Sequence, residues 1–119
     1  MSTYRIADLK VKMDCWGETL RKQGGSYETL PFETEDAIDI NIDIDREKLQ
    51  KSKEKYPLLT LNEWEYIQTG FAFYQDLLDF NGFCLHASAV ALENRAVLFS
   101  GPCGAGKSTH AGLWQQYFG

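Results

Sequence analysis

The sequence is short of the features that mark exported and membrane-bound proteins. It has three cysteines, Cys15, Cys84 and Cys103, without C-x-x-C spacing, which argues against a disulfide framework or a zinc site. No stretch approaches the roughly 20 apolar residues that cross a bilayer, and residues 1–6 lack the apolar segment of a signal peptide. These absences predict a protein of the reducing cytoplasm with no membrane partner.

Basic residues are also in the minority. The 119 residues include 12 Lys and Arg against 17 Asp and Glu, a net charge of −5. No basic stripe is interleaved with aromatic residues, so nothing predicts a nucleic-acid partner. With 44% hydrophobic and 24% charged residues, the chain has an ordinary globular composition, and its length is near the common domain size of about 100 to 150 residues.

A complete phosphate-loop pattern is present near the end of the sequence. Residues 101–108 read Gly-Pro-Cys-Gly-Ala-Gly-Lys-Ser and match G-x-x-x-x-G-K-[ST]. Glycines let the backbone turn tightly enough for successive N–H groups to point at phosphate oxygens. The predicted nucleotide-binding residues are Gly101, Pro102, Cys103, Gly104, Ala105, Gly106, Lys107, Ser108 and Thr109.

Three residues at the end of the loop carry the predicted chemistry. Lys107, the candidate catalytic residue, would reach the β- and γ-phosphates, and the Ser108 hydroxyl would ligate Mg²⁺. Thr109 offers a second hydroxyl to an α-phosphate, at a helix start whose dipole favours anions. The expected cofactors are therefore ATP and Mg²⁺. A glycine-rich turn that merely contains Lys-Ser is the alternative.

The flanks of the loop have the order that the motif requires. Residues 95–100 form a short apolar run that predicts a buried strand, and the apolar spacing over 107–118 predicts a helix. Residues 83–92 predict another strand, separated from the first by the turn Glu93-Asn94. The two strands should pair as an antiparallel hairpin that feeds directly into the loop.

The first part of the chain predicts strands and turns. Tyr4–Met13 is an imperfectly alternating opening strand, and Gly24-Gly25-Ser26 marks a turn or loop. Residues 37–45 alternate strictly between apolar and Asp or Asn residues, which predicts a strand with one solvated face. A calcium loop is the alternative, but Ile44 stands where that loop needs Gly and Gln50 where it needs Glu.

Two helices are predicted between residues 45 and 80. Residues 45–55 are mostly charged and predict a short exposed helix or turn ended by Pro57, with a cationic docking surface as the alternative. Thr60 and Glu63 form a capping-box pattern for a longer helix that reaches about Phe80. An aromatic cofactor site is the alternative to its predicted packing face, which consists of Leu61, Trp64, Ile67, Phe71, Tyr74, Leu77 and Leu78.

These elements predict an α/β (α+β) fold. It would have an antiparallel-rich mixed sheet, a long packing helix, and a hairpin that leads into the phosphate loop and its helix. Residues 1–57 form a β-rich section, and residues 60–119 form the helix, hairpin, loop and second helix. The two sections belong to a single domain or to the N-terminal fragment of a larger one.

The run from Leu85 and His86 through the hairpin to Ser108 resembles a known family. It is similar to the segment of HPr kinase/phosphorylase in which a strand beginning near a His leads through a short turn into the phosphate loop. The broader group includes ATP-type phosphoenolpyruvate carboxykinases. The resemblance implies that the loop binds ATP and Mg²⁺ and that the phosphoryl group passes to a protein serine or to another hydroxyl or carboxylate acceptor. The first eighty residues fit the family only loosely.

The resemblance also bears on single residues. His86 would make a polar contact near the phosphates, with a structural role as the alternative. Cys103 stands where HPr kinases commonly carry Ser, and Thr109 where they commonly carry Glu, so substrate choice stays open. The Cys103 thiol would be accessible to oxidants, with a small residue that simply fits the loop as the alternative.

Phosphoryl transfer needs further groups that the motif does not supply. These are a second acidic ligand for Mg²⁺ and a residue that orients the nucleophile, which in the family lie downstream of the loop. Residues 110–119 contain no Asp or Glu. We therefore expect an N-terminal part of a longer kinase-like protein, inactive alone. Apolar surface around Phe99, Leu113 and Trp114 would favour self-association or association with the missing C-terminal part.

Three functions stay open at this point. The first is a phosphotransferase of the HPr-kinase-like group that uses Mg-ATP to modify a hydroxyl acceptor on a protein or a small molecule. The second is a nucleotide-binding module without turnover. The third is a structural fragment whose loop is empty. Acceptor labelling or ATP hydrolysis separates the first from the second, and affinity for ATP separates the second from the third.

Overall fold

The computed structural model describes residues 1–34 and 37–118. The chain is a mixed α/β protein of two compact units, Met1–Gly82 and Phe83–Gly119. The described strands are β1 Ser2–Ile6, β2 Leu9–Met13, β3 Glu28–Thr29, β4 Ile40–Ile42, β5 Ser88–Leu92 and β6 Arg95–Phe99. The described α-helices are α1 Glu18–Gly24, α2 Arg46–Lys55, α3 Leu61–Leu77 and α4 Lys107–Phe118, with 3₁₀ turns at Gly25–Tyr27 and Leu78–Phe80.

The first unit contains a mixed sheet in the order β3-β1-β2-β4. β1 is antiparallel to both β2 and β3, and β2 is parallel to β4. The single opening strand predicted over 4–13 is wrong, because the chain turns back at Ala7 and Asp8. Both residues have left-handed backbone angles, φ 52° and 63°, as a two-residue hairpin turn requires. Neither glycine nor asparagine marks this turn in the sequence.

The core of the first unit lies on one face of this sheet. It is a cluster of buried side chains from β1, β2 and β4: Tyr4, Val11, Met13, Ile40 and Ile42. The predicted alternation of β4 is confirmed, since Asn41 is exposed between two buried isoleucines. The strand is shorter than the predicted 37–45 and begins after Asp39, whose carboxylate accepts from the Lys10 backbone N–H at 2.7 Å.

Residues 45–55 were predicted as an exposed helix or turn, and the structure has the helix, α2. It begins where the Asp45 carboxylate accepts from the Glu47 backbone N–H at 2.9 Å. Leu49 is its buried residue, at 2% exposure. A preceding helix, α1, was not predicted. The turn expected at residues 24–26 is where α1 ends and a 3₁₀ turn follows.

The long helix α3 has its predicted beginning but a different buried face. The capping box is present, with Thr60 and Glu63 each accepting the other's backbone N–H. The buried residues are Glu65, Thr69 and Leu77. Much of the predicted packing stripe is instead exposed, namely Leu61, Ile67, Phe71, Tyr74 and Leu78. The predicted face is therefore wrong in most of its members, although Leu77 is buried and Trp64 is half-buried. The buried face includes Glu65, whose carboxylate accepts from the Trp16 and Gly17 backbone N–H groups.

The second unit is a hairpin followed by a loop and a helix. β5 and β6 pair antiparallel, as predicted, across Glu93 and Asn94, whose φ angles of 49° and 60° are both left-handed. β5 begins at Ser88 rather than at Phe83. The prediction that residues 95–100 form a buried strand is wrong in one respect. β6 is a strand, but its residues are exposed apart from the half-buried Phe99.

Candidate phosphate site

The phosphate-loop residues lie between β6 and α4 in the second unit. Gly104 and Gly106 have φ angles of +83° and +90°, a conformation that favours glycine. An added Cβ at either position would meet nothing within 4 Å. The glycines are therefore required by the backbone angles rather than by lack of space. The loop is closed internally by the Ala105 backbone N–H, which donates to the Pro102 carbonyl at 3.1 Å.

The helix α4 begins directly after the second of these glycines. Its first backbone hydrogen bond runs from the His110 N–H to the Gly106 carbonyl at 2.9 Å. The N–H groups of the preceding residues, 107–109, belong to the first helical turn and have no carbonyl inside the helix to bond. These donors and the helix dipole together favour an anion at this position.

Lys107 folds back over the loop. Its Nζ donates to the Gly101 carbonyl at 2.8 Å and to the Pro102 carbonyl at 3.0 Å. An ammonium group has three N–H donors. Two of them bond the two loop carbonyls, which leaves the third for a phosphate oxygen. The contact with the β- and γ-phosphates that the sequence predicts for Lys107 stays a prediction.

Ser108 lies beside a residue that sequence reasoning missed. The Oγ atoms of Ser108 and Ser88 are 3.5 Å apart. Ser88 is the first residue of β5 and pairs with Phe99, one residue before the turn into the loop. The position of Ser88 could have been predicted from the sequence, because counting back along the two strands from the two-residue turn places Ser88 opposite Phe99. A cavity of about 530 Å³ opens beside both serines and runs along β5 and α4.

Two further contacts fix the ends of the loop. The Ser100 hydroxyl donates to the His86 carbonyl at 3.2 Å. The Phe99 ring lies 5.3 Å from the His110 ring and 6.0 Å from the Trp114 ring, measured between centroids. His86 thus contacts the loop entrance through its main chain, and its side chain is exposed. The role predicted for that side chain stays a prediction.

The remaining predicted site residues lie on the surface of the loop. Pro102, Cys103, Ala105 and Thr109 are exposed. All three cysteines of the chain are free thiols. Of the three residues expected to expose apolar surface, Leu113 is 50% exposed, whereas Phe99 and Trp114 are half-buried because their rings pack against each other.

The charged groups near the loop suit an anion better than a bare cation. Within residues 1–34 and 37–118, no group of three or more His, Cys, Asp or Glu residues could hold a metal ion. In residues 83–119 the one carboxylate is Glu93, in the hairpin turn at the opposite end of β6. Mg²⁺ often takes few protein ligands and completes its shell with water and substrate phosphates. Ser108 fits that limited role.

No protein-family model, curated protein or solved structure matches the chain. Among the described helices, none combines the length and the apolar character that a membrane span needs.

Proposed function

We propose that residues 101–109 bind the phosphates of Mg-ATP. The observation that carries the proposal is the position of the Lys107 ammonium. It is held by two loop carbonyls directly before the first turn of α4, and the loop reaches that turn through two left-handed glycines. The loop and the helix start thus supply a cation and a set of backbone donors within one short segment, and a phosphate chain needs both kinds of group.

The roles of the loop residues follow from this arrangement. Lys107 would donate its remaining N–H to a β- or γ-phosphate oxygen, and the first-turn N–H groups would donate to the phosphates nearest the helix. Ser108 would ligate Mg²⁺, which supplies charge neutralisation when it is bound. The exposed Thr109 hydroxyl would contact an α-phosphate.

We propose further that the reaction is phosphoryl transfer to a hydroxyl acceptor, on a protein serine or a small molecule. This part rests on the resemblance of residues 85–108 to HPr kinase/phosphorylase and the phosphoenolpyruvate carboxykinase group. The hairpin that feeds the loop supports it, because β5 and β6 pair antiparallel with a two-residue turn as that resemblance implies. The cavity beside Ser88 and Ser108 offers room for a group next to the phosphates.

A nucleotide-binding module without turnover is the second candidate. It is favoured by the scarcity of carboxylates in the second unit, where Glu93 lies away from the loop. Asp39 and Asp45 belong to the first unit, and their carboxylates accept backbone N–H bonds there. Measuring ATP hydrolysis and acceptor labelling alongside ATP affinity separates this candidate from the phosphotransferase.

Calorimetric titration of Mg-ATP tests the binding proposal. We expect binding by the unaltered chain and a loss of about 10- to 100-fold in affinity for Lys107→Ala, because a charge-assisted hydrogen bond contributes about 1.5 to 3 kcal/mol. Lys48→Ala is the matched control, since Lys48 is an exposed lysine of α2. Unchanged affinity in Lys107→Ala, or no binding by the unaltered chain, would contradict the proposal.

Self-association is a further part of the proposal. Phe71 and Leu78 of the first unit are each 63% exposed, and Phe118 of the second is 59% exposed. Large exposed apolar side chains favour contact with another protein surface. Static light scattering over a concentration series should show a mass that rises above that of the monomer, and a constant monomer mass would contradict self-association.

A further inference from the structure

We infer that Ser88 is a positioning residue for the metal-binding hydroxyl of Ser108. The inference rests on the proposed function, since it concerns how the Mg²⁺ ligand of the phosphate site is oriented. The observation behind this inference is the 3.5 Å distance between Ser88 Oγ and Ser108 Oγ. Ser88 lies on β5 and Ser108 in the first turn of α4, so the pair joins two elements that are separated in the chain by β6 and the loop.

The two serines are held at this distance by contacts outside the pair. The β5–β6 register fixes Ser88 opposite Phe99. The Phe99 ring contacts the His110 and Trp114 rings of α4, which holds the first turn of that helix against the hairpin. The bond from the Ser100 hydroxyl to the His86 carbonyl fixes the chain just before β5. The elements that carry the two serines are therefore held together by contacts other than the serine pair itself.

The chemistry of a hydroxyl ligand explains how Ser88 would orient Ser108. A serine hydroxyl has one proton and two lone pairs. When a lone pair faces a cation, the O–H bond points away from the charge and needs an acceptor. Ser88 Oγ lies within reach of that proton. By accepting it, Ser88 turns a Ser108 lone pair toward the metal, as outer partners of metal ligands generally do.

This role makes a specific prediction about metal dependence. Ser88 makes no proposed contact with the nucleotide, so its hydroxyl should matter only when Mg²⁺ is present. Removing an outer partner of a metal ligand commonly lowers metal affinity by about 10- to 100-fold. A structural role in the hairpin would instead weaken nucleotide binding with and without the metal.

The test is calorimetric titration of ATP into the full chain, once with Mg²⁺ and once with EDTA. Unaltered protein, Ser88→Ala, Ser88→Thr, Ser108→Ala and the Ser88→Ala/Ser108→Ala double variant are compared. We expect Ser88→Ala to lower the affinity gain from Mg²⁺ by about tenfold and to leave the affinity for metal-free ATP unchanged. Ser88→Thr, which retains a hydroxyl, should recover the gain. Ser88→Ala should have no further effect when Ser108 is already alanine.

Three results would overturn the inference alone: an unchanged Mg²⁺ gain in Ser88→Ala, an equal loss with Mg²⁺ and with EDTA, or additive losses in the double variant. A chain that binds no ATP in its unaltered form overturns the proposed function, and this inference with it. Far-ultraviolet circular dichroism of each variant shows whether the fold is retained. If the alanine variant unfolds, Ser88→Cys replaces it, because a thiol is close to a hydroxyl in size but is a weak acceptor, and the same loss of the Mg²⁺ gain is expected.

Discussion

The two units of the molecule differ in how much of their side-chain surface they bury. In the first unit, Val11, Ile40 and Leu49 are at most 2% exposed. In the second, none of the described residues 83–118 is buried, and Leu98 is 53% exposed. The first unit therefore depends on contacts between distant parts of the sequence, whereas the second is defined by local geometry: a two-residue turn, a loop with two left-handed glycines and a helix start.

A second comparison concerns the backbone donors at two helix beginnings. At the beginning of α1, the Trp16 and Gly17 N–H groups each donate to the Glu65 carboxylate at 3.0 Å. At the beginning of α4, the donors are the N–H groups of the first helical turn, residues 107–109, which have no acceptor inside the helix. Under our proposal an anion accepts from the backbone donors in both cases. In the first unit it is the carboxylate of Glu65, and in the second it is a bound phosphate.

The largest expected effect comes from breaking the core of the first unit. Ile40→Ala should lower the free energy of unfolding by about 2 to 5 kcal/mol, because it removes a buried side chain and leaves a cavity. Leu98→Ala in β6 should change it by less than about 1 kcal/mol, since Leu98 is more than half exposed. Urea denaturation followed by circular dichroism measures both. Equal losses in the two variants would show that the units do not differ as described.

The next largest effect comes from removing the Glu65 carboxylate of α3, which accepts from the backbone N–H groups just before α1. Glu65 is 3% exposed, and its truncation leaves two backbone donors without their acceptor. Glu65→Ala should lower the free energy of unfolding by about 1 to 3 kcal/mol, the cost of burying unpaired polar groups. Glu54→Ala, at an exposed position of α2, is the control and should have little effect in the same assay. A neutral Glu65→Ala would mean that these N–H groups find other partners.

Two glycine substitutions in the second unit test whether the local conformation of the loop matters for binding. Gly106→Ala should weaken Mg-ATP binding by about 5- to 30-fold, because a side chain at positive φ costs about 1 to 2 kcal/mol. Gly112→Ala is the matched control, since Gly112 lies within α4 and an added Cβ there meets nothing within 4 Å. It should retain binding and stabilise the helix slightly. Similar affinities for the two variants would show that the loop conformation does not matter for binding.

A smaller effect concerns alkaline pH and arises in the first unit. Tyr4 Oη and Cys15 Sγ are 3.1 Å apart, and burial raises the pKa of both groups. The unfolded chain loses these protons first, at about pH 8.5 for the thiol and about pH 10 for the phenol. The stabilisation is complete below those values and is lost as the pH rises toward the folded-state pKa, by at most about 1.4 kcal/mol per pH unit and group.

Tyr4→Phe tests this assignment. Its free energy of unfolding should fall less steeply above about pH 10 than that of the unaltered chain. Tyr117→Phe is the control, because Tyr117 is 85% exposed, and its pH profile should match that of the unaltered chain. Urea denaturation between neutral pH and pH 11 gives the slopes, and parallel profiles for Tyr4→Phe and the control would contradict the assignment.

The parts that the sequence predicted well are those whose causes lie within a few residues. The capping box of Thr60 with Glu63 identified the beginning of α3, and the charged composition of residues 45–55 identified α2. The turn at Glu93 and Asn94 identified the hairpin. The G-x-x-x-x-G-K-S spacing placed the loop and the start of α4 without information from the rest of the chain.

The parts that it missed depend on contacts between distant residues. The buried face of α3 includes Glu65. Its carboxylate accepts hydrogen bonds from the Trp16 and Gly17 backbone N–H groups, which lie 49 and 48 residues earlier in the sequence. Apolar periodicity alone selected the stripe that includes Phe71, which is exposed. Ser88 was also missed. Its position opposite Phe99 could have been counted back from the turn, but the 3.5 Å distance to Ser108 also depends on how α4 packs against the hairpin.

Hydrogen exchange with and without Mg-ATP tests the central claim most directly, namely that the phosphate site is the local loop of the second unit. The account predicts slower exchange at the amides of residues 104–110 when Mg-ATP is added, with β1, β2 and β4 of the first unit unchanged. In Lys107→Ala this protection should be much reduced at the same nucleotide concentration. No change in the loop amides at saturating Mg-ATP, or protection confined to the first unit, would contradict the account.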